Sequence, residues 1–497
     1  MEMLHHILFG FQVAMTPANL LYCFFGVLLG TLIGVLPGLG PVATISILMP
    51  ITLSISPVSA IIMLSGIYYG AQYGGSTTSI LINVPGEATS VVTCIDGYKM
   101  ALQGRAGPAL GISAIGSFIG GMVSLLGVML LAAPLANFAL RFGPPEYFSL
   151  IFLSLTIVSG LGTGSTLKAL LMAGLGMLTG AIGMDMSTGI PRFTFGIRTL
   201  YDGVGLVPAI MGLFGIGEIL TNIEEKLELD IFKTKIKRIL PSREDWVRSR
   251  GPIGRGTLIG FFLGVIPGGG ALISTFASYA VEKKISRHPE QFGQGAIEGV
   301  AGPETANNAG AQSSFIPMLA LGIPPNVVLA VLISALIIHG IQPGPLLLAK
   351  HPDLFWGVIT SMFVGNAMLL ILNLPLVGLW VQLLRVPYTY LFPAILLFCL
   401  VGVYSITNNY VEILLMVFFG VVGYLMRKFD FEPAPFVMGL VLSSMMENAF
   451  RQSLTLSEGS MTIFFTRPIS ALLMAVGLGV LVCYVVLGVR KRERGAG

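Results

Sequence analysis

GVLLGTLIGVLPGLG runs from Gly26 to Gly40, and GTLIGFFLGVIPGGG runs from Gly256 to Gly270. At a constant offset of 230 residues, Gly26, Leu28, Gly30, Gly34, Val35, Pro37, Gly38 and Gly40 each meet the same residue type. Glycines four apart give a helix a smooth face against which another backbone can lie closely. The Pro-Gly-x-Gly ending means something else. Proline removes a donor, and the glycines that follow allow non-helical dihedrals. Each span is therefore expected to break there, with a new helical half beyond it. Inside a membrane, broken backbone is tolerated only against protein or a water-filled cavity. Paired interrupted helices at corresponding positions of two halves point to the midplane binding site of a transporter. On this reading Pro37, Gly38, Gly40, Pro267, Gly268, Gly269 and Gly270 are substrate-site residues.

Composition agrees with a membrane setting. The 497 residues are 54% hydrophobic and 10% charged, against about 25% charged in a soluble protein. Too few charges exist to cover a soluble surface, and too much apolar material is present for disorder. Net charge is only +4, which gives no argument for nucleic acid. Apolar runs of roughly 20 residues, enough to cross the hydrocarbon core, recur from Asn19–Leu36 to Ile469–Val489. The run Phe315–Ile338 reads as one of them. The expected fold is an all-α polytopic membrane protein. It has about 10–13 transmembrane helices in two repeated, inverted halves with broken or re-entrant helices.

The boundaries follow from the polar stretches. Residues 1–221 form an N-terminal membrane half with its repeat core at Gly26–Gly86. Residues 222–252 are a mixed-charge linker with an excess of base. Residues 253–489 form the C-terminal half, with its core at Gly256–Asn326, and 490–497 form a basic tail. Linker and tail are expected in the cytoplasm by the positive-inside rule, and the N-terminus outside. The start MEMLHH lacks the basic region of a signal peptide.

Each Pro-Gly turn is followed by a polar cluster. YGGSTTSILINVPG (Tyr73–Gly86) holds Gly75, Ser76, Thr77, Thr78 and Asn83, and NNAGAQSSFIPMLALGIPPN (Asn307–Asn326) holds Asn307, Asn308, Gln312, Ser313 and Ser314. Hydroxyls and amides of this kind hydrogen-bond between membrane helices. They also suit a carboxylate, through hydroxyl donors and helix N-termini, and a small cation, through amide oxygens. Gly75, Ser76, Thr77, Thr78, Asn83, Asn308, Ser313 and Ser314 are accordingly expected to bind substrate. A Na⁺ ion is expected near Asn83, Asn307 and Asn308. Ionisable residues in apolar surroundings default to functional hypotheses. The candidates are Lys168, read as snorkelling, Asp185, as an ion pair or turn or in a direct role, Glu218, in a weaker apolar run, Glu412, as interfacial, and Glu447, as a salt bridge or proton site.

Enzyme chemistry lacks its residues. The five histidines form no HExxH, and there is no Walker A sequence. The four cysteines are scattered and read as buried small hydrophobes. No cofactor is expected. An anion channel or facilitator of organic acids is the main alternative, although no ring of like charges or repeated filter is visible. An intramembrane enzyme is the weaker alternative.

GVLPGLGPVATISILMPIT, YYGAQYGGSTTSILINVPGE, GMDMSTGIPRFTFG, GVIPGGGA and ANNAGAQSSFIPMLALGIPP resemble segments of the large permease subunit of the tripartite tricarboxylate transporters, the TctA family. The likeness covers essentially the whole chain. It implies a bacterial inner-membrane permease that works with a small four-span membrane subunit and a periplasmic solute-binding protein. It implies import of a citrate-like di- or tricarboxylate driven by Na⁺ or H⁺ rather than ATP. Homodimerisation is left open, because the glycine faces can pack within one chain or between two. One departure is GIPPN, where Pro325 stands in place of an expected Gly.

Overall fold

The computed structural model describes residues 2–36, 40–161, 165–185, 188–225, 239–266, 270–383 and 388–495. The described chain is almost wholly helical. In order, the first half contains α1 (Glu2–Ala14), α2 (Pro17–Val35), α3 (Pro41–Thr52), α4 (Pro57–Ile82), α5 (Val91–Leu102), α6 (Ala106–Ala139), α7 (Pro144–Leu161) and α8 (Thr166–Gly180). A two-residue hairpin follows, β1 (Gly183–Met184) with β2 (Pro191–Arg192). Next come α9 (Leu206–Ile210) and α10 (Gly217–Glu225), joined by a π-helical turn at Met211–Ile216.

The second half contains α11 (Arg243–Gly264), α12 (Gly270–Ile285), α13 (Glu298–Ser313), α14 (Val327–Ile338), α15 (Leu347–Lys350), α16 (Pro352–Asn373) and α17 (Val377–Leu383). It ends with α18 (Tyr388–Thr407), α19 (Tyr410–Lys428), α20 (Pro433–Leu456), α21 (Ile463–Thr466) and α22 (Pro468–Gly495). Five described helices are long and apolar enough to cross a membrane: Pro17–Val35, Ala106–Ala139, Leu206–Glu224, Pro352–Asn373 and Tyr410–Lys428. Six shorter apolar helices of 10–17 residues accompany them. The chain is an all-α polytopic membrane protein.

Local sequence sets the helix starts. Proline occupies the first turn of α2, α3, α4, α16 and α20, where its missing N–H costs nothing. Thr16 caps α2, Ser56 caps α4, and Ser242 with Asp245 forms a capping box on α11. The polar stretch from Arg243 to Arg250 is thus the opening of α11.

The glycine stripes do the same job in both halves. A Cβ built on Gly26, Gly30 or Gly34 would lie 2.2, 2.5 or 2.3 Å from the carbonyl oxygens of Met63, Ile67 and Ala71 on α4. On Gly256, Gly260 and Gly264 it would lie 2.4, 2.3 and 2.4 Å from those of Gly302, Ala306 and Gly310 on α13. Three glycines of one helix seat against three carbonyls of the next, each set four residues apart. This gives the second helix its register: α4 maps onto α13 at an offset of 239 (Met63 to Gly302), against 230 for the first helix. Gly176 and Gly439 bring α8 and α20 together in the same way.

The Pro-Gly stretches separate helices as the sequence leads one to expect. α2 ends at Val35 and α3 begins at Pro41, while α11 ends at Gly264 and α12 begins at Gly270. The run Phe315–Ile338, expected as one crossing, is two pieces. A π-helical turn at Pro317–Leu321 ends at Gly322 in the left-handed region, and α14 restarts after Asn326. Two successive prolines, Pro324 and Pro325, deny the segment the N–H groups that a continuous helix needs.

Candidate substrate site

The offset of 239 carries from α4 into the turn beyond it. Asn83 ends α4 with φ 58° and ψ 25°, and its counterpart Gly322 has φ 73° and ψ 20°. Pro85 corresponds to Pro324 and Glu87 to Asn326. Glu87 and Asn326 both have extended backbone, and each immediately precedes a helical turn, Ala88–Ser90 and α14 respectively. Thus NVPGE and GIPPN are the same backbone turn written in different residues.

The four helix starts made this way line one cavity of about 600 Å³. Gly40, Pro41, Val42 and Ala43 bring the start of α3, and Ala271 and Leu272 bring the start of α12. Glu87, Ala88 and Thr89 bring the turn after α4, and Asn326, Val327 and Val328 bring α14. Two of these starts are occupied by their own side chains. Asn326 accepts from the Leu329 N–H at 3.0 Å, and Glu87 forms a capping box with Ser90. The start of α3 at Gly40 has no side-chain cap among the described residues, so its first N–H groups are the kind that receive an anion.

Tyr68 and Gln72 of α4 complete the polar wall. The Asn326 amide donates to the Tyr68 hydroxyl at 3.1 Å, tying the two halves together across the cavity. Gln72 accepts from the Thr89 hydroxyl at 2.7 Å. Its Nε2 has no hydrogen-bond partner among the described residues, although the residue is 1% exposed. A buried donor left unpaired is a place where a ligand oxygen is welcome. Glu218 and Arg427 face one another at 3.0 Å, and Glu432 precedes α20.

The expected site residues fall into three groups. Pro37, Gly38, Pro267, Gly268 and Gly269 lie outside the described residues. Gly40 lines the cavity, and Gly270 opens α12 beside it. Gly75, Ser76, Thr77, Thr78, Asn308, Ser313 and Ser314 are buried inside α4 or along α13 and the residue after it, and none is on the cavity wall. Several are spent on helix packing. Asn308 donates to Ser117 at 2.7 Å, and Ser314 donates to the Gly264 carbonyl at 3.0 Å. Asn83 is an exposed helix end, whereas Asn307 and Asn308 are fully buried in α13.

The ionisable residues pair locally. Arg451 reaches Asp185 at 2.8 Å and Glu447 at 2.7 Å, and Arg192 reaches Glu447 at 2.6 Å, which fastens the β1–β2 hairpin to α20. Lys168 donates to the Phe429 carbonyl at 2.6 Å and sits over the Phe431 ring. Glu412 lies in the first turn of α19. Gln72 and Thr89, which line the cavity, were not among the expected site residues: Gln72 stands in an apolar run and Thr89 follows the NVPGE turn.

The profile of the tripartite tricarboxylate transporter TctA family matches residues 20–438. Two relatives from Agrobacterium vitis are similar. An uncharacterized 52.8 kDa protein in the TAR-I ttuC' 3' region is 50% identical over 493 residues, covering 99% of this chain and 98% of the relative. An uncharacterized protein in the TAR-II ttuC' 3' region is 48% identical over 234 residues, covering 47% of this chain and 97% of the relative. No solved structure matches. The chain therefore belongs to the tripartite tricarboxylate transporter TctA family, as a multi-pass membrane permease of a system with partner subunits.

Proposed function

We propose that this chain is the permease of a secondary transporter that imports a di- or tricarboxylate delivered by a periplasmic binding protein. A small four-span membrane subunit completes the complex, which resides in the bacterial inner membrane. The observation that carries the reading is the pair of helix starts, α3 from one half and α12 from the other, on one cavity of about 600 Å³. Two separate N-termini suit two carboxylate groups of one substrate. The Gln72 amide, the Tyr68 hydroxyl and Asn326 supply neutral polar groups between them.

The fixed charge on the wall favours co-transport. Among the described residues the wall carries the carboxyl groups of Glu87, Glu218 and Glu432 and the guanidinium of Arg427. A multiply charged anion entering such a cavity is opposed unless cations travel with it. An ion-gradient symporter meets that requirement; an anion channel is not helped by it. Alternating access follows from movement of one repeated half against the other around the cavity.

The test is uptake of labelled citrate and other di- and tricarboxylates by proteoliposomes. They contain this chain, its small membrane partner and the binding protein, under imposed Na⁺ or H⁺ gradients. Accumulation that needs a gradient and the binding protein supports the proposal. Downhill flux alone, with all components active, supports a channel.

A further inference from the structure

Glu304 of α13 is 1% exposed and lies in the middle of its helix. Its carboxylate accepts three hydroxyls from three helices of the first half: Ser76 of α4 at 2.5 Å, Ser113 of α6 at 2.9 Å, and Thr93 of α5. The other buried acids are compensated differently. Glu146 pairs with Arg467 and Glu282 with Arg255, each at 2.6 Å, and Asp245 pairs with Arg105. Asp96 accepts the backbone N–H groups of Gly293, Gly295 and Ala296 and the Tyr279 hydroxyl. Asp185 pairs with Arg451 at 2.8 Å, and Glu412 lies in the first turn of α19, its Oε2 without a hydrogen-bond partner among the described residues. Glu304 has neither a cation nor a helix start among its described partners.

We propose that Glu304 is the group that binds and releases the coupling proton of this transporter, a proposal that rests on the transport reading above. A bare carboxylate at this depth is costly, and neutralisation removes the cost. A hydroxyl both donates and accepts. The three that surround Glu304 can therefore donate to its carboxylate, and one can turn to accept from its carboxyl. A proton needs nothing more. Na⁺ needs several oxygens, commonly from unwound backbone. Ser76, Thr93, Ser113 and Glu304 all lie inside continuous helices, whose carbonyls are spent on helix bonds.

The position also suits coupling. The acid belongs to the second half, and all three hydroxyls belong to the first. Sliding of the halves would dismantle this shell. The Ser76 hydroxyl also lies 3.0 Å from the Gln72 carbonyl oxygen, the alternative acceptor for its one hydrogen, and Gln72 and Thr89 line the cavity. One helical turn therefore separates the proton site from the substrate wall. Asn307 and Gln312, with both side-chain polar atoms unpartnered among the described residues, extend the polar strip along α13. The titratable groups facing Glu304 are Tyr73 of α4 and Cys94 of α5. The elements packed against α13 carry Asp96 on α5, the Glu282–Arg255 pair of α12 and α11, Arg248 of α11 paired with Glu298, and Glu87 before the turn Ala88–Ser90. α6 presents none.

The experiment uses the complete reconstituted system and a labelled carboxylate that the wild type accumulates. In Glu304→Gln, accumulation under an inward proton gradient should fall to simple equilibration, while exchange of labelled for unlabelled substrate persists. The conservative Ser76→Ala removes one donor to the charged form, so the carboxyl holds its proton more tightly. The pH of half-maximal uptake should then move upward by about one unit.

Proton-driven accumulation by Glu304→Gln overturns the proposal. So does an unmoved pH midpoint in Ser76→Ala, or wild-type accumulation driven by Na⁺ alone with Na⁺ activation lost in Glu304→Gln. Absence of wild-type uptake under every gradient overturns the transport reading, and this proposal with it.

Discussion

Gly254 and Gly256 lie two residues apart on α11 and face opposite surroundings. A Cβ on Gly256 would stand 2.4 Å from the Gly302 carbonyl oxygen, 1.0 Å inside the 3.4 Å at which ordinary contact begins (3.4 − 2.4). That oxygen belongs to the backbone of α13, so relief requires the two helices to part by about 1 Å, at an overpacking cost of roughly 1–3 kcal/mol. A Cβ on Gly254 meets nothing within 4 Å. Alanine there adds about 0.4–1 kcal/mol by restricting the unfolded chain. Gly256→Ala should destabilise and Gly254→Ala should be neutral or stabilising, a separation of about 1–4 kcal/mol. Gly30→Ala in the first half, 2.5 Å from the Ile67 carbonyl, should behave like Gly256→Ala. The assay is equilibrium unfolding in mixed micelles, read by circular dichroism. Equal stability of Gly254→Ala and Gly256→Ala would refute the claim that these stripes seat backbone on backbone.

Two further outcomes follow from the turns. Asn83 holds φ 58° as an exposed helix end, and glycine adopts that conformation at no steric cost. Asn83→Gly should keep near-normal uptake, and its loss would restore Asn83 as a ligand. Asn326 caps α14 and bonds Tyr68. Asn326→Ala should cost about 1 kcal/mol in the same unfolding assay. Asn326→Asp keeps an acceptor at the cap but adds negative charge to the cavity wall. It should raise the KM for carboxylate uptake more than Asn326→Ala does, and a lower KM would argue against an anion in the cavity.

The first pair of stretches was legible because the same letters recur at one offset, and the chemistry of glycine and proline does not depend on context. The second pair was only loosely legible. The seated residues are 37 positions apart in one half (Gly26 to Met63) and 46 apart in the other (Gly256 to Gly302). A fixed offset therefore slides out of register. The turns then use different residues for one backbone: Asn83 and Gly322 both adopt left-handed dihedrals, and Glu87 and Asn326 both precede helical turns. Sequence comparison sees side chains and misses φ. Glu304 was missed for another reason. It stands just before the Asn307–Ser314 cluster, in a stretch not expected to lie within an apolar span, and only tertiary packing of α4, α5 and α6 around α13 makes it a buried acid. Phe315–Ile338 misled in the opposite direction, since uniform hydrophobicity hid the break at GIPPN.

The central claim is that helix starts from both halves hold one carboxylate substrate in the shared cavity. Ala88 is exposed on its wall, whereas Leu102 is exposed at the end of α5 and is not on the wall. The measurement is the rate of maleimide labelling of Ala88→Cys and Leu102→Cys, each made in a Cys483→Ser background. Labelling is followed with and without the carboxylate that the uptake assay identifies. The account predicts that substrate slows labelling at Ala88→Cys several-fold and leaves Leu102→Cys unchanged. Undiminished labelling at Ala88→Cys under saturating substrate would contradict it.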